Sequence, residues 1–286
     1  MTTTASRATT VPVGLVLGGI VSQQFGAAVA ALVFPLAGPL GVVTMRLSVS
    51  AVVMLAVCRP SVRGHSRSDW AVIGAFGVAL ASMNMLFYQA VDRIPLGAAV
   101  TLEVLGPLVL SVVTGRRAAS WLWAALALVG VGLLGRGGFD SLDAAGVAFA
   151  LGAGVLWAVY ILCSARTGSR FPKADGLALA MAVSAVISLP FGASTALLHP
   201  VTLGLGAAVA LLSSALPYSL ELLSLRSLRQ STFAVLMSLA PAVAAIAGQV
   251  VLGQHLHLLD VVAIVLVVIA GVGAVLGSTP KPEKVA

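Results

Sequence analysis

One apolar stretch constrains this chain more than any other: residues 95–117, PLGAAVTLEVLGPLVLSVVTGRR. It is long enough to cross a bilayer, because about 20 helical residues span a hydrocarbon core of about 30 Å. Yet it carries a carboxylate, Glu103, near its middle and a helix breaker, Pro107, one turn later. A charge at that depth costs about 2.5–3.5 kcal/mol on insertion scales, so it faces a bundle interior or a wet cavity. Helical spacing puts Ala99, Gly106 and Pro107 on the face of Glu103 and turns Leu102, Leu105 and Val109 elsewhere. Pro107 has no N–H, which frees the carbonyl of residue 103. The stretch stops at Gly115-Arg116-Arg117, a basic end suited to a cytoplasmic surface. Such a span either bonds its glutamate to a neighbouring helix or lines a transport pathway.

The rest of the chain reads as membrane too. Of 286 residues 59% are hydrophobic and 9% charged, against about 25% charged in soluble domains. The expected fold is therefore an all-α integral membrane protein with no sizeable soluble domain. Apolar runs bounded by Gly, Pro and charged turns predict ten transmembrane helices at 12–35, 39–58, 70–90, 96–114, 120–135, 144–165, 175–198, 203–225, 232–252 and 260–277. Residues 1–11 and 278–286 are expected as cytoplasmic tails. Arg7, the run after it and Ala28-Val29-Ala30 loosely imitate a cleaved signal peptide, but cleavage would remove the first span. It is read as a retained helix.

Net charge is +7, but its distribution excludes a nucleic-acid partner. With the N-terminus inside, Arg7, Arg59, Arg63, Arg67, Arg116, Arg117, Arg166, Arg170, Lys173, Arg226, Arg229, Lys281 and Lys284 all fall on the cytoplasmic side. Only Arg93 and Arg136 fall outside, and Arg46 lies within a span. That bias predicts a multi-pass membrane protein with both termini cytoplasmic. Cys58 and Cys163 then share the cytoplasmic side, where disulfides are disfavoured, and read as packing residues.

An internal repeat points to function. Val104-Leu105-Gly106-Pro107-Leu108-Val109 echoes Ser238-Leu239-Ala240-Pro241-Ala242-Val243, and Gly130-Val131-Gly132 echoes Gly271-Val272-Gly273. Two five-helix halves, 12–135 and 144–277, are separated by an odd number of crossings, so the second is expected to be inverted. Inverted repeats with helices interrupted at matching prolines, here Pro107 and Pro241, mark secondary transporters with substrate held near the midplane. Gly14-x-x-x-Gly18 and Gly273-x-x-x-Gly277 speak only of close helix crossings.

Three ionisable residues lie clearly within spans: Arg46, Glu103 and Glu221. Arg46 is either a structural partner to a carbonyl or carboxylate, or a fork for a substrate carboxylate. Glu103 is the leading proton-coupling residue. Glu221 is the second, with a surface pairing to Arg226 as its plainer role. Gln23, Gln24, Asn84, Tyr88, Trp157, Tyr160 and Tyr218 are expected as further substrate-binding lining, although each singly also suits helix–helix bonding. His255, His257 and Asp260 share a short outer loop without a third close ligand, so no metal is expected. The chain carries no Walker A, H-E-x-x-H or G-x-S-x-G pattern. No cofactor and no enzymatic activity are expected.

Several pieces in order resemble a known family: Phe34-Pro35-Leu36, Thr44-x-Arg46-Leu47, Met83-Asn84-x-x-Phe87-Tyr88, Pro95-Leu96-Gly97, Leu102-Glu103-x-x-Gly106-Pro107-Leu108, Leu151-Gly152-Ala153-Gly154-x-x-Trp157-Ala158-x-Tyr160 and Ala215-Leu216-Pro217-Tyr218-Ser219-Leu220-Glu221. The chain resembles the drug/metabolite transporter superfamily from about residue 12 to residue 277, specifically its EamA-type ten-helix members that export threonine and homoserine. The resemblance implies two inverted five-helix repeats around a central cavity, with the fifth and tenth helices outside it. It also implies export of small amino acids or related metabolites by proton exchange. A homodimer is compatible with it. Two positions that often carry Glu in this group are Ala240 and Gln254 here. The rivals are a drug or quaternary-amine exporter, using Tyr88, Trp157, Tyr160 and Tyr218 as cation–π surface, and an intramembrane enzyme. The enzyme would need a second catalytic group beside Glu103, and no such pair is recognisable.

Overall fold

The computed structural model describes residues 3–115, 118–133, 142–172, 174–194, 199–217, 220, 224 and 230–278. Among these the chain is helical, with no strand. The elements are α1 (Thr3–Cys58), α2 (Arg67–Val91), α3 (Leu96–Glu103), α4 (Leu105–Gly115), α5 (Ala118–Leu133), α6 (Ala144–Gly168), α7 (Asp175–Gly192), α8 (Pro200–Ala210) with a π-helical turn (Leu211–Ala215), α9 (Gln230–Met237), α10 (Ala240–Leu252) and α11 (Leu258–Ser278). Six helical stretches among the described residues are long and apolar enough to cross a membrane, and Leu96–Leu110, Trp121–Leu133 and Pro200–Ser214 are shorter apolar helices. The chain is a multi-pass membrane protein. Its outward face fits that solvent, since Val113, Leu122, Leu128, Val155, Val250 and Ile269 are all exposed.

α1 cannot run straight. Its 56 residues would reach about 84 Å at 1.5 Å per residue, far beyond the hydrocarbon core. The turn comes at Gly38, with φ 69° and ψ 160°, a conformation open to glycine and strained for other residues. Pro35 and Pro39 frame it and remove the N–H groups that would carry the helix through. Two hydrogen bonds confirm the reversal: Ser22 Oγ donates to the Leu212 carbonyl at 2.7 Å and Arg46 Nη2 to the Ser213 carbonyl at 2.9 Å. Residues 22 and 46 would stand about 36 Å apart on one continuous helix, yet they reach consecutive carbonyls.

Other expected spans are broken where proline predicts. The stretch 96–114 divides at Val104, three residues before Pro107, and 232–252 divides at Ser238-Leu239, just before Pro241. The stretch expected to end at 198 stops at Gly192, and α1 starts at Thr3, ahead of residue 12.

Small residues run through the core: Ala28, Ala30, Ala90, Ala98, Ala99, Ala150, Ala153, Ala244 and Ala247 are fully buried in one cluster, among larger side chains such as Ile20, Leu80, Tyr88 and Leu102. Lipid tails give no hydrophobic drive between helices, so close approach supplies the packing. α6 lies on α2, α3 and α4; α7 lies on α1 and α2; α10 lies on α1 and α3; α5 lies on α11. At one end of the bundle Arg170 donates to Ser68 Oγ at 2.8 Å and reaches Asp69 at 3.3 Å. There Ser66 and Asp69 form a capping box that starts α2. At the other end Arg93 pairs with Asp143 at 3.8 Å, and Asp143 caps α6 through the Gly146 N–H. Gln254 Oε1 accepts the Leu96 N–H there at 3.0 Å, so a neutral amide caps α3.

Candidate functional site

The site is built from proline outward. In the π-helical turn the Leu216 N–H bonds to the Leu211 carbonyl, one residue further back than in an α-helix. The Leu212 carbonyl thereby loses its donor, and Ser22 supplies one. The Ser213 carbonyl would look to residue 217, which is proline and has no N–H. Arg46 supplies that donor. Gly26 makes the approach possible, because a Cβ there would stand 3.0 Å from the Ser213 backbone nitrogen. π-helical turns of this kind concentrate at functional sites.

Arg46 is 7% exposed and spreads its donors over neutral acceptors: Nε to Ser214 Oγ at 3.1 Å, Nη1 to Tyr88 Oη at 3.2 Å, Nη2 to the Ser213 carbonyl at 2.9 Å. Its guanidinium also lies 5.6 Å from the centre of the Tyr88 ring. Tyr88, 1% exposed, is held in turn by Phe34 and Phe87, with ring centres at 5.7 and 5.8 Å. The Glu103 carboxylate lies within Coulombic reach of Arg46. Ser213 Oγ and Ser50 Oγ, the latter one turn along from Arg46, are buried with no hydrogen-bond partner.

Glu103 is half-buried at the end of α3. Its carbonyl, freed by Pro107, faces Gly154 of α6: a Cβ on Gly154 would sit 2.6 Å from the Glu103 oxygen, and one on Gly106 would collide with the Gly154 backbone. Glycine on both helices thus lets α6 press against the break. On α3 a Cβ at Gly97 would sit 2.9 Å from the Ala245 Cα of α10.

The structure thus unites Arg46, Tyr88 and Glu103. The other expected lining residues are less committed. Gln24 is buried and Gln23 half-buried on α1. Asn84 is buried and its Nδ2 donates to the Leu80 carbonyl of its own helix at 2.8 Å. Tyr160 packs on Phe76, ring centres 5.1 Å apart, and Trp157 is half-buried beside it on α6. Tyr218 and Glu221 lie outside the described residues, while Pro241 opens α10 at its first turn. The fully buried Asp260 accepts the His257 N–H at 2.8 Å, which starts α11, and no group of three metal-binding side chains occurs among the described residues. Two open depressions, of ≈ 260 and ≈ 350 Å³, lie at the Gln254 end, one against Gln89 and Gly192 and one against Asp92 and Gln254. The serines of the π-helical turn were not expected; Pro217 four residues after Ser213 was the available signal.

A family model described as the EamA-like transporter family matches residues 144–276. The threonine/homoserine exporter RhtA of Salmonella typhimurium (strain LT2) is 38% identical over 277 residues, covering 95% of this chain and 94% of that one. The threonine/homoserine exporter RhtA of Escherichia coli (strain K12) is 38% identical, covering 93% and 91%. A solved structure, described only as the crystal structure of a protein, matches with a TM-score of 0.55 at 20% identity over 91% of this chain and 98% of that one. That likeness concerns the fold alone.

Proposed function

The chain belongs to the EamA-like transporter family of the drug/metabolite transporter superfamily, and from that premise we propose that it exports small amino acids of the threonine and homoserine kind across a bacterial inner membrane. It is a transporter and not an enzyme. The proposed architecture is ten crossings in two inverted five-helix repeats, 12–135 and 144–277, with both termini cytoplasmic and Glu103 carrying a proton against the substrate. Glu221 is the second proton-coupling residue in this proposal, and a homodimer is compatible with it.

One observation carries the substrate reading: a buried guanidinium, Arg46, and a carboxylate, Glu103, stand within Coulombic reach of each other inside the helix bundle. A zwitterion is the complement of that pair, its carboxylate toward Arg46 and its ammonium toward Glu103. Drug-like cations fit less well, because Arg46 repels them and already lies against Tyr88, while Tyr160 packs on Phe76. The test is counterflow of labelled threonine and homoserine in proteoliposomes, beside a cationic dye. Accumulation of the amino acids is expected; movement of the dye alone would sink the reading.

A further inference from the structure

We infer that the π-helical turn occupies the seat of the substrate carboxylate and is an internal competitor for Arg46. This rests on the amino-acid reading above. Arg46 offers Nε and Nη2 along one edge of its fork, the edge that grips a carboxylate with two parallel bonds. In this structure that edge holds two oxygens from consecutive residues: Ser214 Oγ on Nε at 3.1 Å and the Ser213 carbonyl on Nη2 at 2.9 Å. The pair imitates the two oxygens of a carboxylate. Nη1 stays on Tyr88, which fixes the plane of the fork during the exchange.

The imitation is weaker than the thing imitated. Both oxygens are neutral, whereas a carboxylate brings its own charge to the fork and meets it with two parallel bonds, which adds energy as well as geometry. Ser213 and Ser214 are 2% and 3% exposed, so they supply two buried acceptors to a buried charge, whose donors are costly to leave unsatisfied. The turn therefore stabilises the empty protein and yields to an incoming carboxylate. Pro217 keeps the device available: with no N–H at 217, the Ser213 carbonyl has no donor four residues on, where an α-helix would supply one. When the carboxylate arrives, both oxygens leave the edge, so binding at Arg46 loosens the turn's hold on α1, while the Ser22 bond to the Leu212 carbonyl is kept.

The experiment compares L-threonine with L-threonine amide in proteoliposome counterflow. Ser214→Ala removes one competitor, and the KM for threonine is expected to fall about three- to tenfold, the size of one net hydrogen bond, with the KM for the amide unchanged. A serine that merely supports the fold would raise both or move neither. Pro217→Ala gives the Ser213 carbonyl an N–H of its own helix and is expected to act in the same direction; it decides the matter if Ser214→Ala fails to fold. Ser214→Asp places a real carboxylate in the seat, so threonine transport is expected to be lost from a protein that melts no lower than wild type. A threonine KM unchanged or raised in the alanine variants, or a wild-type KM in Ser214→Asp, overturns the inference. A wild type that moves no amino acid overturns the reading beneath it as well, a result distinct from normal wild-type transport with unresponsive variants.

Discussion

Gly106 and Gly154 meet backbone to backbone at the level of Glu103, and neither position has room for one more carbon. The contact joins the broken fourth stretch to α6, and it sets the depth at which the Glu103 carbonyl is packed. Gly106→Ala or Gly154→Ala is expected to destabilise by about 1–3 kcal/mol, as overpacking does in a tight core. Thermal melting in detergent checks this. Gly132, whose added Cβ meets nothing within 4 Å, serves as the control, and Gly132→Ala is expected to melt no lower than wild type.

Arg46→Lys keeps the charge and loses the planar fork. Transport of amino acids is expected to weaken at least about tenfold, as two charge-assisted bonds are replaced by one, with amino-acid amides suffering far less. Initial rates against both substrate classes give the answer. Equal losses would return Arg46 to a purely structural part.

Glu103→Gln preserves shape and cannot carry a proton. Flux driven by an imposed pH difference is expected to vanish, while exchange of substrate for substrate without a gradient persists in a protein of normal melting temperature. A glutamine variant that still concentrates substrate under a pH difference removes the proton role from this residue.

Orientation is open to chemical labelling. Arg170 and Asp69 fix the loops 59–66 and 169–172 at one end, and Arg93 and Asp143 fix 92–95 and 142–143 at the other. Reporter cysteines at Asp92 or Asp143 are expected to react with impermeant thiol reagents outside intact cells. Cysteines at Arg63 or Ser169 are expected to stay silent until the cells are opened. The reverse pattern overturns the proposed topology.

Much of the fold was legible because proline and glycine act locally. Pro35, Gly38 and Pro39 mark a break that needs no tertiary knowledge, and Pro107 and Pro241 announce the interruptions found beside them. Arg46 and Glu103 stood out because a charge within an apolar run has few places to go. The partners of Arg46 were harder to read. Ser213 and Ser214 sit more than 160 residues away in sequence, and the π-helical turn that presents them depends on packing against Ser22 and Gly26. Asn84 shows the same limit: it shares the Tyr88 face that the spacing expects, and its Nδ2 donates to the Leu80 carbonyl of its own helix, a bond the spacing does not give. Periodicity gives a residue's face and says nothing of which bond its side chain takes.

The reversal at Gly38 bears on how this protein can be handled in the laboratory. Between the two arms of α1 there is no loop to cut, tag or decorate, only a glycine between two proline-framed helix ends. An epitope inserted there has to pry the arms apart, and with them the Ser22 and Arg46 bonds to the π-helical turn. The exposed segment around Ser61 to Gly64 carries no such duty. Insertions at 61–64 are expected to leave the protein abundant in membranes, whereas insertions at 37–39 are expected to deplete it, as an immunoblot of membrane fractions would register.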